Sequence, residues 1–225
     1  MPLDIRAFIF DLDGVITDTA EYHFRSWKRL ADEENIPFTR QDNEALRGVS
    51  RRESLNRMLK GRAIDEATAQ AWMERKNAYY IAYLNEITPA NVLPGALNLL
   101  DEARKAGIKT AIASASKNAQ TVLDRLQIAD RFDAVGDGYS VINTKPAPDL
   151  FVWTAGRLGV SPGHAVIFED AEAGIAAAIT GGFWSVGIGS AEVQKADVVL
   201  SDLANIHVAQ IVARLSAAQA RRTSE

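Results

Sequence analysis

Six short apolar runs recur along the chain at wide intervals, at 7–10, 108–113, 132–135, 165–168, 184–188 and 198–200. Within most runs the apolar residues follow one another directly, which is typical of strands buried on both faces of a parallel sheet. Amphipathic helical patterns, such as those at 96–106 and 119–126, separate most of the runs. The pattern therefore predicts an α/β fold: a doubly wound parallel sheet with a Rossmann-like core.

The segment from 18 to 87 has a different pattern. It contains no convincing strand, and helical patterns occur at 20–33, 42–47, 51–59 and 67–84. Pro89 and the Pro94-Gly95 pair then mark the return to alternating strands and helices. We therefore predict an inserted all-α helical cap domain at 18–87, able to act as a lid, and an α/β core made of 1–17 and 88–225.

One uncharged stretch, 173–191, approaches the ~20 residues that cross a bilayer. Five glycines interrupt it, and the Gly181-Gly182 pair is typical of a helix end followed by a turn. We interpret the stretch as a buried helix followed by a buried strand, and we predict no membrane partner. The C-terminal tail, 221–225, is expected to be frayed.

Composition and charge exclude several classes of protein. With 47% hydrophobic and 24% charged residues, the chain is typical of globular proteins. Its formal net charge of −4 does not suit a protein that neutralises a phosphate backbone, so we expect no nucleic acid partner. The chain has no cysteine, which excludes disulfides, a cysteine nucleophile and thiolate metal sites. The lack of cysteine and of a signal-peptide pattern favours a cytoplasmic location.

Polar side chains follow the apolar runs where the predicted strands end. Asp11 and Asp13 follow the first run, the polar segment 114–118 follows the second, and the Glu169-Asp170 pair follows the fourth. Lys145 lies after the third run. Because ligands bind beyond the carboxyl ends of parallel strands, we expect these groups to meet at one edge of the sheet.

The chemistry of this group indicates a metal site. Clustered carboxylates raise one another's pKa unless a cation neutralises them. Oxygen ligands without cysteine or histidine suit Mg²⁺, which binds one or two carboxylates together with substrate phosphate and water. Lys145 would balance the remaining negative charge. We therefore predict Mg²⁺ as the cofactor and phosphoryl transfer as the reaction class.

Asp11 and Asp13 are two positions apart, which places both carboxylates on the same side of an extended backbone. Asp11 could attack phosphorus, Asp13 could carry a proton to or from a hydroxyl, and Gly14 permits a tight exit from the strand. Alternatively, this tetrapeptide is a surface turn with capping carboxylates. Lys145 and the Glu169-Asp170 pair at similar strand ends favour the catalytic interpretation.

Four motifs stand at these strand ends: the hexapeptide Phe10 to Val15 (FDLDGV), Ser114, Lys145-Pro146 and Glu169-Asp170. Together they resemble the motifs of the haloacid dehalogenase superfamily of aspartate-nucleophile phosphotransferases. Longer stretches resemble its β-phosphoglucomutase branch, namely 13–24, 48–51, 75–77 and 113–118, and the likeness extends to about Gly189. The segment 136–144, which contains two glycines and Tyr139 before Lys145, departs from that branch.

The resemblance implies a role for each residue. Asp11 would be the phosphorylated nucleophile and a Mg²⁺ ligand, and Asp13 would be the general acid and base that also gives its backbone carbonyl to the metal. Glu169 and Asp170 would complete the metal site. The implied substrate-binding residues are Thr17, His23, Gly48, Val49, Ser50, Arg51, Lys76, Ser114, Ala115, Ser116, Asn118 and Lys145. Of these, Ser114, Ala115 and Lys145 would hold the transferring phosphate, and Thr17 and His23 would lie where core and cap meet.

His23 and Arg51 each have a simpler interpretation. His23 is either a helix-surface histidine without a role or a support for Asp13 and the hinge. Between residues 47 and 62 six basic residues stand against one acid, and most of them are expected on a solvated helix surface. Arg51, however, follows a loop at 48–50 that would let it point into the cleft, where arginine suits a second phosphate.

The resemblance implies a mutase that interconverts β-D-glucose 1-phosphate and D-glucose 6-phosphate through an aspartyl-phosphate enzyme, with glucose 1,6-bisphosphate as the priming intermediate. The first alternative is a Mg²⁺-dependent sugar-phosphate phosphatase of the same superfamily. The second is a non-catalytic binding protein on this fold. A nucleotide-binding role is less favoured, because neither glycine-rich nucleotide motif is present. The expected partner is a small-molecule sugar phosphate, and the chain is expected to be a monomer.

Overall fold

The computed structural model describes residues 3–189 and 191–222. Its centre is a six-stranded parallel sheet in the order β3-β2-β1-β4-β5-β6. The strands are β1 (Ala7–Phe10), β2 (Lys109–Ala113), β3 (Ala134–Gly136), β4 (Ala165–Glu169), β5 (Trp184–Ile188) and β6 (Val198–Leu200). The helices are α1 (Ala20–Glu33), α2 (Arg40–Glu44), α3 (Arg51–Leu59), α4 (Glu66–Leu84), α5 (Ala96–Lys105), α6 (Ala119–Leu126), α7 (Asp149–Leu158), α8 (Glu172–Thr180) and α9 (Val208–Arg222).

The sheet is covered on both faces, which confirms the doubly wound fold predicted from the apolar runs. Successive residues of a strand point to opposite faces, and β1 follows this rule. Phe8 and Phe10 pack into the apolar layer beneath α5, α6 and α9, while Ala7 and Ile9 pack into the layer beneath α7 and α8. All four residues are fully buried. On the first face the ring of Phe10 stacks on that of Phe168, with 4.5 Å between ring centroids.

The helices α1 to α4 form a cap with an apolar core of its own. Buried side chains from three of these helices meet there, among them Trp27, Leu30, Leu55 and Trp72. The two connections between cap and sheet run side by side, since the backbone N–H of Leu93 donates to the carbonyl of Ile16 over 2.8 Å. The inserted helical cap is therefore present, and its limits at 18 and 87 stay a prediction.

Several predicted elements have different limits in the structure. The helix expected at 42–47 lies at Arg40–Glu44, because Thr39 and Asp42 form a capping box that starts the helix earlier. The third strand is displaced from 132–135 to Ala134–Gly136. There the Asp133 carboxylate accepts a 2.8 Å hydrogen bond from the backbone of Thr110, and regular pairing begins after it.

The uncharged stretch 173–191 contains a helix and a strand, as the glycines predicted. The helix α8 ends at Thr180, Gly181 is its C-cap, and the fully buried strand β5 follows. In the part of the chain that the structure describes, no helix is both long and apolar enough to cross a membrane. The tail expected to fray is 221–225: Arg221 and Arg222 form the end of α9, and residues 223–225 lie outside the described residues.

Candidate active site

A cleft lies between the carboxyl edge of the sheet and the cap, and most of the predicted site residues line it. From the core these are Asp11, Asp13, Ser114, Ala115, Ser116, Asn118 and Asp170, and from the cap they are His23, Gly48, Val49, Arg51 and Lys76. The parallel register produces this arrangement, since Phe10 pairs with Ile112 on one side and Phe168 on the other. The residues that follow these three strands therefore meet at one edge, as expected.

Three carboxylates form the floor of the cleft. One oxygen of each of Asp11, Glu169 and Asp170 lies within 4.8 Å of the others, and all three residues are buried. Burial and the neighbouring carboxylates raise the pKa of Glu169 to about 8, although Lys145 acts in the opposite direction. Burial and the Asp11 carboxylate likewise raise the pKa of Asp170 to about 7. Ionisation of all three carboxylates together is therefore unfavourable unless a further cation binds among them.

These residues fit a divalent metal ion. The donor set is three carboxylates with neither sulfur nor nitrogen, which is the set preferred by Mg²⁺. The turn after β1 is shaped around the same group: Gly14 has a φ of +82°, and a Cβ there would lie 2.0 Å from Oδ2 of Asp170. Only glycine can therefore occupy position 14 while Asp170 keeps its place.

Lys145 lies behind the floor and does not line the cleft. Its Nζ is 2.5 Å from Oδ1 of Asp11 and 2.8 Å from Oε2 of Glu169. The side chain is fully buried, and burial alone would lower its pKa. The two carboxylates outweigh that effect and raise the pKa of Lys145 above its ordinary value. Lys145 therefore remains a cation and holds two of the three acids in position.

Asp13 is held at the junction of core and cap by Thr19. The Thr19 hydroxyl donates a hydrogen bond to Oδ1 of Asp13, and the Tyr80 hydroxyl donates to Thr19 over 3.2 Å. Burial and the Asp11 carboxylate raise the pKa of Asp13 to about 7, while the bond from Thr19 lowers it. A carboxyl group with a pKa near neutrality can both give and take a proton.

Thr17 lies where core and cap meet, as the resemblance implies, but the hydroxyl that reaches Asp13 is that of Thr19. Thr17 is fully buried, and its hydroxyl donates to the carbonyl of Asn91 over 2.8 Å, so it joins the two connections rather than facing the cleft. Thr19 directly precedes α1, yet its hydroxyl does not cap that helix. A threonine at a helix start is usually interpreted as a cap, which is why the sequence did not single it out.

His23 lies between Asp13 and Lys76. Its Nε2 is 4.0 Å from Oδ2 of Asp13, its Nδ1 is 3.0 Å from Nζ of Lys76, and its ring stacks on that of Tyr80. Burial, and then the neighbouring Lys76 and Arg51 cations, lower the pKa of His23 well below its ordinary value. His23 therefore has the supporting position at the hinge that the sequence left open, and it is not a free surface histidine.

Arg51 and Asn118 lie on opposite sides of the cleft, and both donate hydrogen bonds to Asn77, a residue that the sequence did not single out. Asn77 Oδ1 accepts a 2.8 Å hydrogen bond from Arg51 and a 2.9 Å hydrogen bond from Asn118. Asn118 belongs to the core and the other two to the cap, so this oxygen joins both walls. The signal available in the sequence was the polar triplet 75–77, of which only Lys76 was chosen.

Arg51 and Lys76 have a further property in common. Burial lowers the pKa of both side chains, and the Arg51 guanidinium lowers the pKa of Lys76 further. Among the residues that the structure describes, neither forms an ion pair with a carboxylate. A bound anion would stabilise the charged form of both side chains. This side of the cleft, formed by the cap, therefore suits a negatively charged group of a ligand.

The loop 114–118 is closed by its own hydrogen bonds. The Ser114 hydroxyl accepts from the backbone of Ser116 over 3.1 Å, and the Ser116 hydroxyl accepts from that of Asn118 over 3.2 Å. Gly138 packs against this loop, because a Cβ there would lie 2.6 Å from the carbonyl oxygen of Ala115. Gly138, in the segment 136–144 that departs from the β-phosphoglucomutase branch, thus permits close contact between that segment and the loop 114–118. Ser50, by contrast, caps α3 by accepting from Glu53 and does not line the cleft.

Arg47 is a site residue that the sequence treated only as part of a basic segment. Its guanidinium forms an ion pair with the Asp170 carboxylate, which is 123 positions away in the chain. Arg47 is on the cap, one residue before Gly48, whereas Asp170 belongs to the acidic floor. No local pattern in the sequence indicates this pair.

A parallel sheet with an acidic floor at its carboxyl edge, a buried lysine behind that floor and a helical lid above it defines a phosphotransferase-type site. The family model of haloacid dehalogenase-like hydrolases matches residues 5–182. The chain belongs to this family.

Two similar proteins match most of its length. The β-phosphoglucomutase of Bacillus subtilis (strain 168) is 42% identical over 207 residues, which cover 90% of this chain and 92% of that protein. A crystal structure of the β-phosphoglucomutase from Clostridium difficile has a TM-score of 0.92 and 39% identity, and covers 96% of this chain and 99% of that one.

A phosphatase is also similar. The phosphorylated carbohydrates phosphatase of Thermotoga maritima is 29% identical over 180 residues, which cover 79% of this chain and 82% of that protein. These relatives are named as enzymes, and the four motifs of this chain meet in one site. The chain is therefore an enzyme of this family, and the alternative of a non-catalytic binding protein is not supported.

Proposed function

We propose that this enzyme interconverts β-D-glucose 1-phosphate and D-glucose 6-phosphate through glucose 1,6-bisphosphate. The observation that carries the proposal is the pair of cap side chains, Arg51 and Lys76, that face the cleft with no carboxylate ion pair among the described residues. The acidic floor with Lys145 serves the phosphate that is transferred. Arg51 and Lys76 serve a second phosphate, which a mutase must bind and a simple phosphatase need not.

Mg²⁺ would be held by Asp11, Glu169 and Asp170, with the backbone carbonyl of Asp13 as a further oxygen. When bound, it neutralises the floor and draws electron density from the phosphoryl group. The residues of the chain then have separate tasks. Ser114 and the backbone of Ala115 orient the transferring phosphate, and the closed cap excludes water from it.

The first transfer begins with phosphate on the Asp11 carboxylate. The C6 hydroxyl of glucose 1-phosphate attacks this phosphorus, and Asp13 takes the hydroxyl proton while the bond between phosphorus and the Asp11 oxygen breaks. The products are the free Asp11 carboxylate and glucose 1,6-bisphosphate. The phosphate on C1 is meanwhile held from the cap by Arg51, which keeps the acceptor hydroxyl in place.

The second transfer requires the bisphosphate to turn around, so that its C1 phosphate meets Asp11. The Asp11 carboxylate attacks that phosphorus, the bond to the C1 oxygen breaks, and Asp13 returns the proton to the leaving oxygen. Glucose 6-phosphate leaves and phosphorylated Asp11 is regenerated.

The test is to supply β-glucose 1-phosphate with Mg²⁺ and a trace of glucose 1,6-bisphosphate. We expect glucose 6-phosphate to form faster than inorganic phosphate is released. The Asp11→Asn variant and a chelator-treated sample are the controls, and both should form neither product. Faster release of inorganic phosphate would instead identify a sugar-phosphate phosphatase, the activity that the Thermotoga relative's name states.

A further inference from the structure

The ion pair between Arg47 and Asp170 joins the cap to the acidic floor. Asp170 is buried and Arg47 is half-buried, so water screens this pair less than it screens a surface pair. The Arg47 side chain is also restricted by its own segment, because its other terminal nitrogen donates a hydrogen bond to the Glu44 carboxylate over 3.3 Å. The guanidinium is therefore held in a defined place above the floor.

The backbone around Arg47 is in close contact with the same part of the core. Gly48 has a φ of +70°, and a Cβ at this position would lie 3.0 Å from the Cβ of Ala171. On the other side, a Cβ on Gly14 would lie 3.1 Å from a terminal nitrogen of Arg47. The cap loop thus lies against the core turns at Gly14 and Ala171, on both sides of Asp170, and we call this arrangement of cap and core the closed cap.

The formal charges of the site indicate how Arg47 affects metal binding. When ionised, Asp11, Glu169 and Asp170 carry three negative charges, and Lys145 contributes one positive charge. The two charges that remain are those that a divalent cation neutralises. In the closed cap, Arg47 neutralises one of these two charges. Its guanidinium also lies against Oδ2 of Asp170, which is one of the proposed metal ligands. A guanidinium and Mg²⁺ at the same carboxylate therefore repel each other.

We infer that Arg47 is a positioning residue that couples the cap to the metal site: the closed cap weakens Mg²⁺ binding, and bound Mg²⁺ weakens the hold of the closed cap. The second half follows from the first, because coupling between two equilibria is reciprocal. This inference rests on the proposed metal site. It also suits a mutase, whose bisphosphate must turn around while the metal stays in place.

The experiment measures Mg²⁺ affinity by titration calorimetry on the full chain without substrate. Arg47→Ala should bind Mg²⁺ at least about fivefold more tightly than the wild type, within the roughly 5- to 150-fold range that is usual for coupled sites. Arg47→Gln, which keeps most of the side-chain volume, should do the same. Arg47→Lys should stay close to the wild type, because it keeps the charge.

A matched control comes from the same cap. Arg52 pairs with Glu66 at the exposed surface, so Arg52→Ala removes an equal charge away from the floor and should leave Mg²⁺ affinity unchanged. Since Arg52→Ala removes the same charge from the cap surface, an increase confined to the Arg47 variants identifies the Arg47 guanidinium above the floor as its cause. Unchanged or weaker binding by Arg47→Ala and Arg47→Gln, or an equal increase in Arg52→Ala, would overturn the inference. If the wild type and every variant bind no Mg²⁺, the metal site itself is wrong.

Discussion

The hydroxyl of Thr19 donates a hydrogen bond to the carboxylate of Asp13, across the point where the chain passes from the sheet into the cap. The same hydroxyl accepts from Tyr80 on α4. The proton-carrying group proposed for the reaction is thus oriented by residues that belong to the cap side. Closure of the cap and orientation of Asp13 are therefore connected.

Asp13→Asn should lower kcat by about 10²- to 10⁴-fold, because an amide cannot carry the proton that a positioned acid and base carries. KM for glucose 1-phosphate should change little, since Asp13 acts in the transition state. Steady-state kinetics of the coupled glucose 6-phosphate assay check this. A variant that keeps its kcat and loses only affinity would show that Asp13 binds substrate and moves no proton.

Thr19→Val should lower kcat by about 10- to 100-fold, the worth of one hydrogen bond to a charged group, and should leave KM almost unchanged. Thr19→Ser keeps the hydroxyl and should restore most of the rate. Thr17→Val is the matched control, because the Thr17 hydroxyl donates to the Asn91 carbonyl and its loss should affect stability rather than kcat. Equal losses of kcat in both valine variants would contradict a specific role for Thr19.

Arg51→Ala should raise KM for glucose 1-phosphate and lower kcat, because binding energy from the non-reacting phosphate helps to orient the acceptor hydroxyl. Hydrolysis of acetyl phosphate, which has no second phosphate, should be nearly unaffected. Arg52→Ala, on the exposed side of the same helix, should change neither reaction. If Arg51→Ala damages both reactions equally, Arg51 does not hold the second phosphate.

Lys145→Met should destabilise the fold by about 3–5 kcal/mol, because it leaves two buried carboxylates without their cation. Urea unfolding in the absence of metal measures this loss. Added Mg²⁺ should restore part of it, since the metal neutralises the same carboxylates. Lys195→Met, which removes an exposed pair with Glu172, should stay within about 0.5 kcal/mol of the wild type. A loss of similar size in both variants would argue against the charge at the floor as its cause.

Asp42, in helix α2 of the cap, should make the free energy of unfolding depend on pH in acid. Its hydrogen bonds with Lys60 and Thr39 lower its pKa from 3.8 to about 2. A carboxyl whose pKa is lower in the folded state stabilises the fold above pH 4, and this contribution is lost as the pH falls toward 2. The difference in unfolding free energy between the wild type and Asp42→Asn should therefore shrink between pH 5 and pH 3. A difference that stays constant over this range would show that Asp42 acts through neutral hydrogen bonds alone.

Local patterns in the sequence are enough to predict the sheet and the acidic group at its carboxyl edge. The limits of β1, β5 and β6 coincide with the apolar runs, because the strands of a parallel sheet covered by helices are rich in apolar residues. The acidic group was predictable for a similar reason. Residues that directly follow neighbouring parallel strands, such as Asp11 and Glu169, are brought together by the sheet whatever the rest of the chain does.

The cap residues that face the floor could not be predicted from local patterns and are known only from the folded chain. Thr17 and Thr19 are two positions apart, and the local sequence does not show that the hydroxyl of Thr19 reaches Asp13 while that of Thr17 binds Asn91. Arg47 and Asp170 are 123 positions apart, and neither residue carries a sign of the other. Apolar periodicity is a local property of the chain, whereas such contacts depend on the angle at which α1 to α4 pack over the sheet, and that angle is set by side-chain packing throughout the cap.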